Sequence, residues 1–147
     1  MHSTALTADD FRVLAEHGGS IVWSPLSNYL LYGRTTDVAA ARRAGLRIGL
    51  GCDWAPSGSK NLLGELKVAW LASEAQGGVF TPQELVEMVT VSPARILKWE
   101  HALGTLEPGK LADLVLVSRD DGDPYLHLVR ARETSVTLVV VGGVPRV

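Results

Sequence analysis

The sequence has one cysteine, Cys52, in 147 residues. No disulfide can form within the chain, which fits a reducing compartment. It has no long apolar run: none approaches the ~20 residues that a membrane helix needs, so no membrane partner is expected. It has no excess of charge, since 14 Lys and Arg stand against 16 Asp and Glu for a net −2. That balance would not draw in nucleic acid. The one adjacent basic pair, Arg42-Arg43, reads as the solvated face of a helix. The opening Met1-His2-Ser3-Thr4 lacks the basic-then-apolar pattern of a signal peptide, so a cytoplasmic location is expected. Also missing are internal repeats, low-complexity tracts, the H-x-H and H-E-x-x-H patterns, and any Cys/His cluster at zinc-site spacing.

What is present is an ordinary globular composition, 46% apolar and 20% charged, long enough for one core. Thr7-Ala8-Asp9-Asp10 is a variant capping box. Phe11, Leu14 and Ala15 follow at helical spacing, and Gly18 ends that helix. Ser20 to Ser24 is short, β-branched and aromatic, and predicts a buried strand stopped at Pro25. Asp37 to Ala44 is Ala-rich and closes at Gly45, a second helix. Arg47 to Asp53 predicts a second strand, with glycines where another backbone can come close. A longer helix is predicted over Asn61 to Ala75, with Leu62, Leu66, Ala69 and Trp70 on one face. Thr81-Pro82-Gln83-Glu84 combines an N-cap, Pro at N1 and Glu at N3, and Pro93 starts a further helix. Past residue 100 the pattern changes. Gly104 to Lys110 is turn-rich, while Leu111 to Val117 and Ser135 to Val141 are apolar runs that predict strands of a separate sheet.

Two parts are therefore expected, 1–100 and 101–147. The first alternates helix and strand, which implies right-handed parallel β/α units. Two strands do not make a parallel sheet buried on both faces, and a closed (β/α)8 barrel takes about 250 residues. The fold class is α/β, and an incomplete fold is expected.

The chemistry centres on Asp53. It follows an apolar strand and precedes a loop of small and polar residues, the position that faces the active site in a β/α barrel. A carboxylate there can hold a metal ion or take a proton from an activated water; alternatively it only caps the loop. His2 reads from its position as an exposed terminal residue. His17, His101 and His127 have no partner at ligand spacing and read as surface residues. Cys52 should point away from Asp53 and into the core. Ser57 to Asn61 lacks the spacing of a phosphate loop, so Asn61 is better read as a helix N-cap. Trp54 would either wall a substrate or pack over the strand ends.

The order of segments resembles a known family. Ser24 to Gly33, Ser-Pro-Leu-Ser-Asn-Tyr-Leu-Leu-Tyr-Gly, resembles the H-x-P-x-S-N-x-x-L-x-x-G segment of cytosine deaminase-like and chlorohydrolase-like members of the amidohydrolase superfamily. Gly45 with Arg47 to Asp53 resembles their A-G-V-x-V-x-L-G-T-D strand. Leu62 to Ala72 is similar to the x-x-E-x-R-x-A helix, with Lys67 at the usual Arg. Thr81 to Leu97, then Gly104 to Val115, resembles the segment ending G-S-L-E-P-G-K-x-A-D-L-V, the most specific stretch. Val139 to Val147 resembles the closing strands. The match runs in order over nearly the whole chain.

The resemblance implies the last β/α units of a TIM-like (β/α)8 barrel plus the C-terminal strands of the family's composite β-sandwich. It implies that Asp53 is the aspartate after the eighth strand, a metal ligand that also shuttles protons. It implies that His2 is the histidine after the sixth strand, which polarises substrate or assists the attacking water. Asn28, near the mouth after the seventh strand, and Trp54 are candidate substrate contacts. The implied reaction is attack of metal-activated water on an amide, amidine or ring carbon of a small C–N substrate, with zinc the expected divalent metal of complete relatives. The family's H-x-H and middle-strand ligands have no counterpart here. The chain is therefore expected to be a fragment that binds no metal tightly and is inactive alone. It would self-associate or need a missing N-terminal part. Two other readings stand beside this one: a non-catalytic interaction or assembly module on the same fold, and a small independent α+β domain, which would fold cooperatively as a monomer.

Overall fold

The computed structural model describes residues 2–118 and 121–146. Helix α1, Ala8–Glu16, is capped by Thr7 in a reciprocal box with Asp10. Strand β1, Ser20–Trp23, follows, and helix α2, Pro25–Tyr32, begins at once after it. Helix α3, Val38–Arg43, is capped by Asp37 and leads into strand β2, Arg47–Leu50. The two strands pair in parallel, Ser20 opposite Arg47 through Trp23 opposite Leu50. Both C-terminal ends therefore open on the same side, as β/α units require.

Helix α4, Leu62–Ala75, is capped by Asn61, whose side chain accepts from the Gly64 amide. Helix α5, Pro82–Glu87, has the expected Thr81/Glu84 capping box, and helix α6 spans Val91–Ile96. Helix α6 lies against β2: a Cβ on Gly49 would come within 3.2 Å of Ile96 Cδ1, so the glycine permits the approach. Phe11, Trp23, Val38, Leu66, Leu85 and Val129 are fully buried in one apolar cluster. Each contributes about 1.5–3 kcal/mol or more relative to exposure.

The C-terminal segment makes its own sheet. Strand β3, Leu114–Val117, is antiparallel to β4, Val136–Val141, which is antiparallel to β5, Val144–Pro145. The β4–β5 turn uses Gly142 and Gly143, both at positive φ, as a two-residue hairpin requires. Between β3 and β4 the chain leaves this sheet as helix α7, Pro124–Arg130, and docks on α4 and α5. Val129 is buried there, and the Arg130 guanidinium lies 4.7 Å from the Trp70 ring centre. The Lys67 ammonium donates to the carbonyls of Leu63 and Ala131, tying the end of α7 to α4.

The strands are shorter than the sequence predicts, and α6 starts at Val91 rather than Pro93. Helices α2 and α7 were not predicted at all. Each begins with a polar cap and Pro at N1, Ser24-Pro25 and Asp123-Pro124; that start signal is in the sequence. Among the described residues no helix is long and apolar enough to cross a membrane. Of the closing strands expected over Val139 to Val147, Val147 lies outside the described residues.

Candidate active site

The site grows out of the two strand ends. Ser24 closes β1, and the fixed φ of Pro25 suits the first turn of α2. The second residue of that turn, Leu26, has no intrahelical partner for its amide. It donates to Glu65 Oε1 at 3.0 Å from the fully buried Glu65 on α4. This anchor sets α2 so that its first turn carries Ser27 and Asn28, both fully buried.

The other strand continues through Gly51, whose amide still donates to the Trp23 carbonyl at 2.9 Å. Two residues on, Asp53 takes a left-handed conformation, φ +60°. Asp tolerates that region better than most residues, and the twist turns the chain out of the strand direction. The loop then folds back on itself. Gly58 packs so closely that a Cβ there would lie 1.7 Å from the Cys52 carbonyl oxygen.

These elements bring three of the four sequence candidates together. Asp53 Oδ2 accepts from Ser27 Oγ at 2.6 Å and lies 3.5 Å from His2 Nε2. The other ring nitrogen, His2 Nδ1, is 3.0 Å from Asn28 Nδ2. Asn28 Oδ1 faces the hydroxyls of Thr35 at 3.1 Å and Thr36 at 3.2 Å. The single Thr36 hydrogen goes to the nearer acceptor, the His2 carbonyl at 2.7 Å. Tyr32 stacks edge-on against the imidazole, 5.1 Å between ring centres. Asp53 and His2 are nonetheless open: their side chains are 31% and 27% exposed. The pair forms an accessible polar face over the strand ends.

The Ser27 hydroxyl holds the Asp53 carboxyl below its ordinary value, against a smaller upward push from desolvation, with the Trp54 amide and His2 helping to lower it. Asp53 is thus kept as carboxylate. Glu65 goes the other way. Burial raises it, Ser59 and the Leu26 amide pull it back in part, and the Asp53 charge adds to the rise. Glu65 Oε2 and Ser59 Oγ make no hydrogen bond of good geometry. Burial, then Glu65, raises the half-buried Cys52 thiol, which keeps it in the neutral form.

Trp54 is 70% exposed and does not pack over the strand ends. Asn28 has both ends of its amide committed inside the protein, so it touches the open face only through His2. His17 and His101 are exposed, and His127 is half-buried with its ring 2.7 Å from the Ser118 carbonyl. Among the described residues no group of three or more His, Cys, Asp or Glu is placed to hold a metal ion. Sequence reasoning missed Ser27, Thr35, Thr36 and Glu65. Ser27 and Glu65 were visible only as letters of longer patterns, and Thr35-Thr36 carried no signal because their partners lie across a turn.

The family model described as "Amidohydrolase family" matches residues 1–145. A 5-methylthioadenosine/S-adenosylhomocysteine deaminase of Symbiobacterium thermophilum is 38% identical over 81% of this chain and 28% of its own length. The deaminase of the same name from Desulforudis audaxviator is 38% identical over 97% of this chain and 36% of its own. A crystal structure of an adenosine deaminase from Xanthomonas campestris with bound zinc superposes with TM-score 0.88 at 27% identity, over 98% of this chain and 35% of that one. The chain spans about a third of the length of the relatives it matches. It is α/β in architecture, and by sequence and fold together it belongs to the amidohydrolase family.

Proposed function

We propose that this chain supplies the acid–base wall of a C–N hydrolase site, and that the rest of the site comes from segments it does not contain. The observation that carries this is the juxtaposition of Asp53, Ser27 and His2 over the ends of two parallel strands. In this reading residues 1–100 are the closing β/α units of a (β/α)8 barrel, and residues 101–147 belong to a second, sandwich-like part.

The chemistry of the chain's own groups is direct. Asp53 is ionised and exposed on one side, so it accepts a proton from a water attacking an amide, amidine or ring carbon. His2, held beside it, stabilises the charge that develops on the substrate. Asn28 acts on substrate through His2. Trp54, exposed in the loop after Asp53, offers one aromatic face that suits a flat ring. The names of the relatives at 38% identity point to the amine of an adenine-type nucleoside as the first substrate to try.

The donors present do not make a zinc site. A catalytic zinc takes three protein ligands and an open position, and the described residues hold no such set. The metal of the complete enzyme would need ligands from elsewhere, with Asp53 adding one. The chain alone should therefore bind zinc or manganese weakly and turn nothing over. Titration calorimetry on metal-free protein, followed by an assay for ammonia release, tests this. Stoichiometric micromolar binding with turnover would contradict it.

An assembly role fits the same structure. Among the described residues no third strand pairs with β1 or β2, although the Met88 carbonyl meets the Leu50 amide on the outer side of β2, and Val22 of β1 and Leu30 and Leu31 of α2 are exposed. Unpaired edges with apolar neighbours are templates for pairing with a missing part or a second copy.

A further inference from the structure

The polar contacts around His2 have a direction that starts deep in the core. Trp23 is 1% exposed, and its Nε1–H is a donor only. It donates to Thr35 Oγ1 at 2.8 Å. That occupies a lone pair of the hydroxyl and leaves its hydrogen for Asn28 Oδ1 at 3.1 Å. With its carbonyl end taking the Thr35 hydrogen, the Asn28 amide presents Nδ2–H to His2 Nδ1 at 3.0 Å. An amide N–H only donates, so Nδ1 must accept. The neutral ring then carries its proton on Nε2, the nitrogen facing Asp53 Oδ2 and the open side.

From this geometry we infer that Trp23 and Thr35 are positioning residues: through Asn28 they fix His2 as the Nε2–H tautomer, so that the imidazole offers a donor to substrate rather than a lone pair to a metal. The value of that donor for C–N hydrolysis rests on the reading proposed above; the tautomer itself does not. Nothing in the relay touches the reacting groups except His2. Trp23, Thr35 and Asn28 lie on β1, after α2, and on α2 respectively, so folding of one β/α unit sets the polarity. Thr36 secures the backbone at the other end by donating to the His2 carbonyl. The Tyr32 ring edge limits rotation of the imidazole.

The two protonation patterns of a neutral imidazole differ in their nitrogen chemical shifts, so long-range 1H–15N correlation of the His2 ring reads the tautomer without any turnover. The measurement is made on the full 147-residue chain, about two pH units above the usual histidine pKa of ~6.5. The His2 signals are those lost in His2→Gln. Wild type should show a pyrrole-type Nε2 and a pyridine-type Nδ1. In Thr35→Val the Asn28 amide is free to turn over, and both shifts should move toward averaged values; Thr35→Ser should restore the wild-type pattern. Thr35→Val leaves the Trp23 N–H unpaired, so Trp23→Phe/Thr35→Val, which removes both partners, replaces it if it does not fold. Averaged or Nδ1–H-type shifts in wild type overturn the inference, as does a folded Thr35→Val or double variant with the wild-type pattern. Failure of the hydrolase reading would appear separately, as absent turnover with the tautomer intact when the missing segments are supplied by a complete relative.

Discussion

Two carboxylates within the same few residues of structure are pushed in opposite directions, and each has a separable consequence. Asp53 titrates below its ordinary value because Ser27 donates to it. Its contribution to stability is present above the unfolded value of ~3.9 and is lost as pH falls through the lower folded one. Ser27→Ala should move that loss to higher pH. The pH dependence of the Asp53 carboxyl carbon shift checks this, and an unchanged midpoint would rule out the hydroxyl as cause. Glu65 titrates above its ordinary value because it is buried. Its contribution is full below the unfolded value of ~4.3 and declines as pH rises through the folded one. Glu65→Gln keeps an acceptor for the Leu26 amide and carries no charge. It should flatten the fall of stability with pH and leave stability near pH 7 equal or higher. Glu65→Ala strands that amide and should cost about 1–3 kcal/mol. Urea unfolding of both variants across pH separates these effects; equal losses at every pH would contradict the buried-charge account.

The loop after β2 depends on a glycine in a way that the helix after it does not. A Cβ on Gly58 would overlap the Cys52 carbonyl oxygen, while one on Gly64 would meet Ser59 and Asn61 atoms at 3.5 Å or more, ordinary contacts. Gly58→Ala should therefore displace the loop that sets Asp53 and cost at least the ~1–3 kcal/mol of an overpacked site. Gly64→Ala inside α4 should be neutral or stabilising by up to about 1 kcal/mol. Thermal unfolding compares the two, and a harmless Gly58→Ala would show that the loop is not held as described. The elements themselves were largely legible in the sequence. Capping boxes at Thr7 and Thr81, the cap at Asn61 and the stop at Gly45 gave helices close to where they occur. Helices α2 and α7 were missed because their apolar residues do not form one clean stripe: α2 leaves Leu30, Leu31 and Tyr32 exposed. Asp53 is singled out by its place at a strand end and by the family pattern, and His2 by the family pattern alone. The residues that orient them, Ser27, Thr35 and Glu65, act through contacts between segments far apart in the chain, which no local periodicity reveals.

Taken as one object, the chain has a core but not a closed surface. The parallel pair β1–β2 has no third strand among the described residues. Apolar side chains of β3, β4 and the segment just after α6, among them Leu97, Trp99, Val115 and Val141, are about half exposed. Such a surface favours association, so the chain alone should sediment above its monomer mass of 15.8 kDa, with a concentration dependence. A cooperative monomer at all concentrations would favour an independent domain. The most direct test is a chimera in which this chain replaces the matching third of the Desulforudis audaxviator deaminase. With zinc supplied, the chimera should release ammonia from 5-methylthioadenosine, and Asp53→Asn should lower that rate about 10²-fold or more. A folded Asp53→Asn chimera that keeps its rate would contradict the role of this carboxylate as the site's proton acceptor.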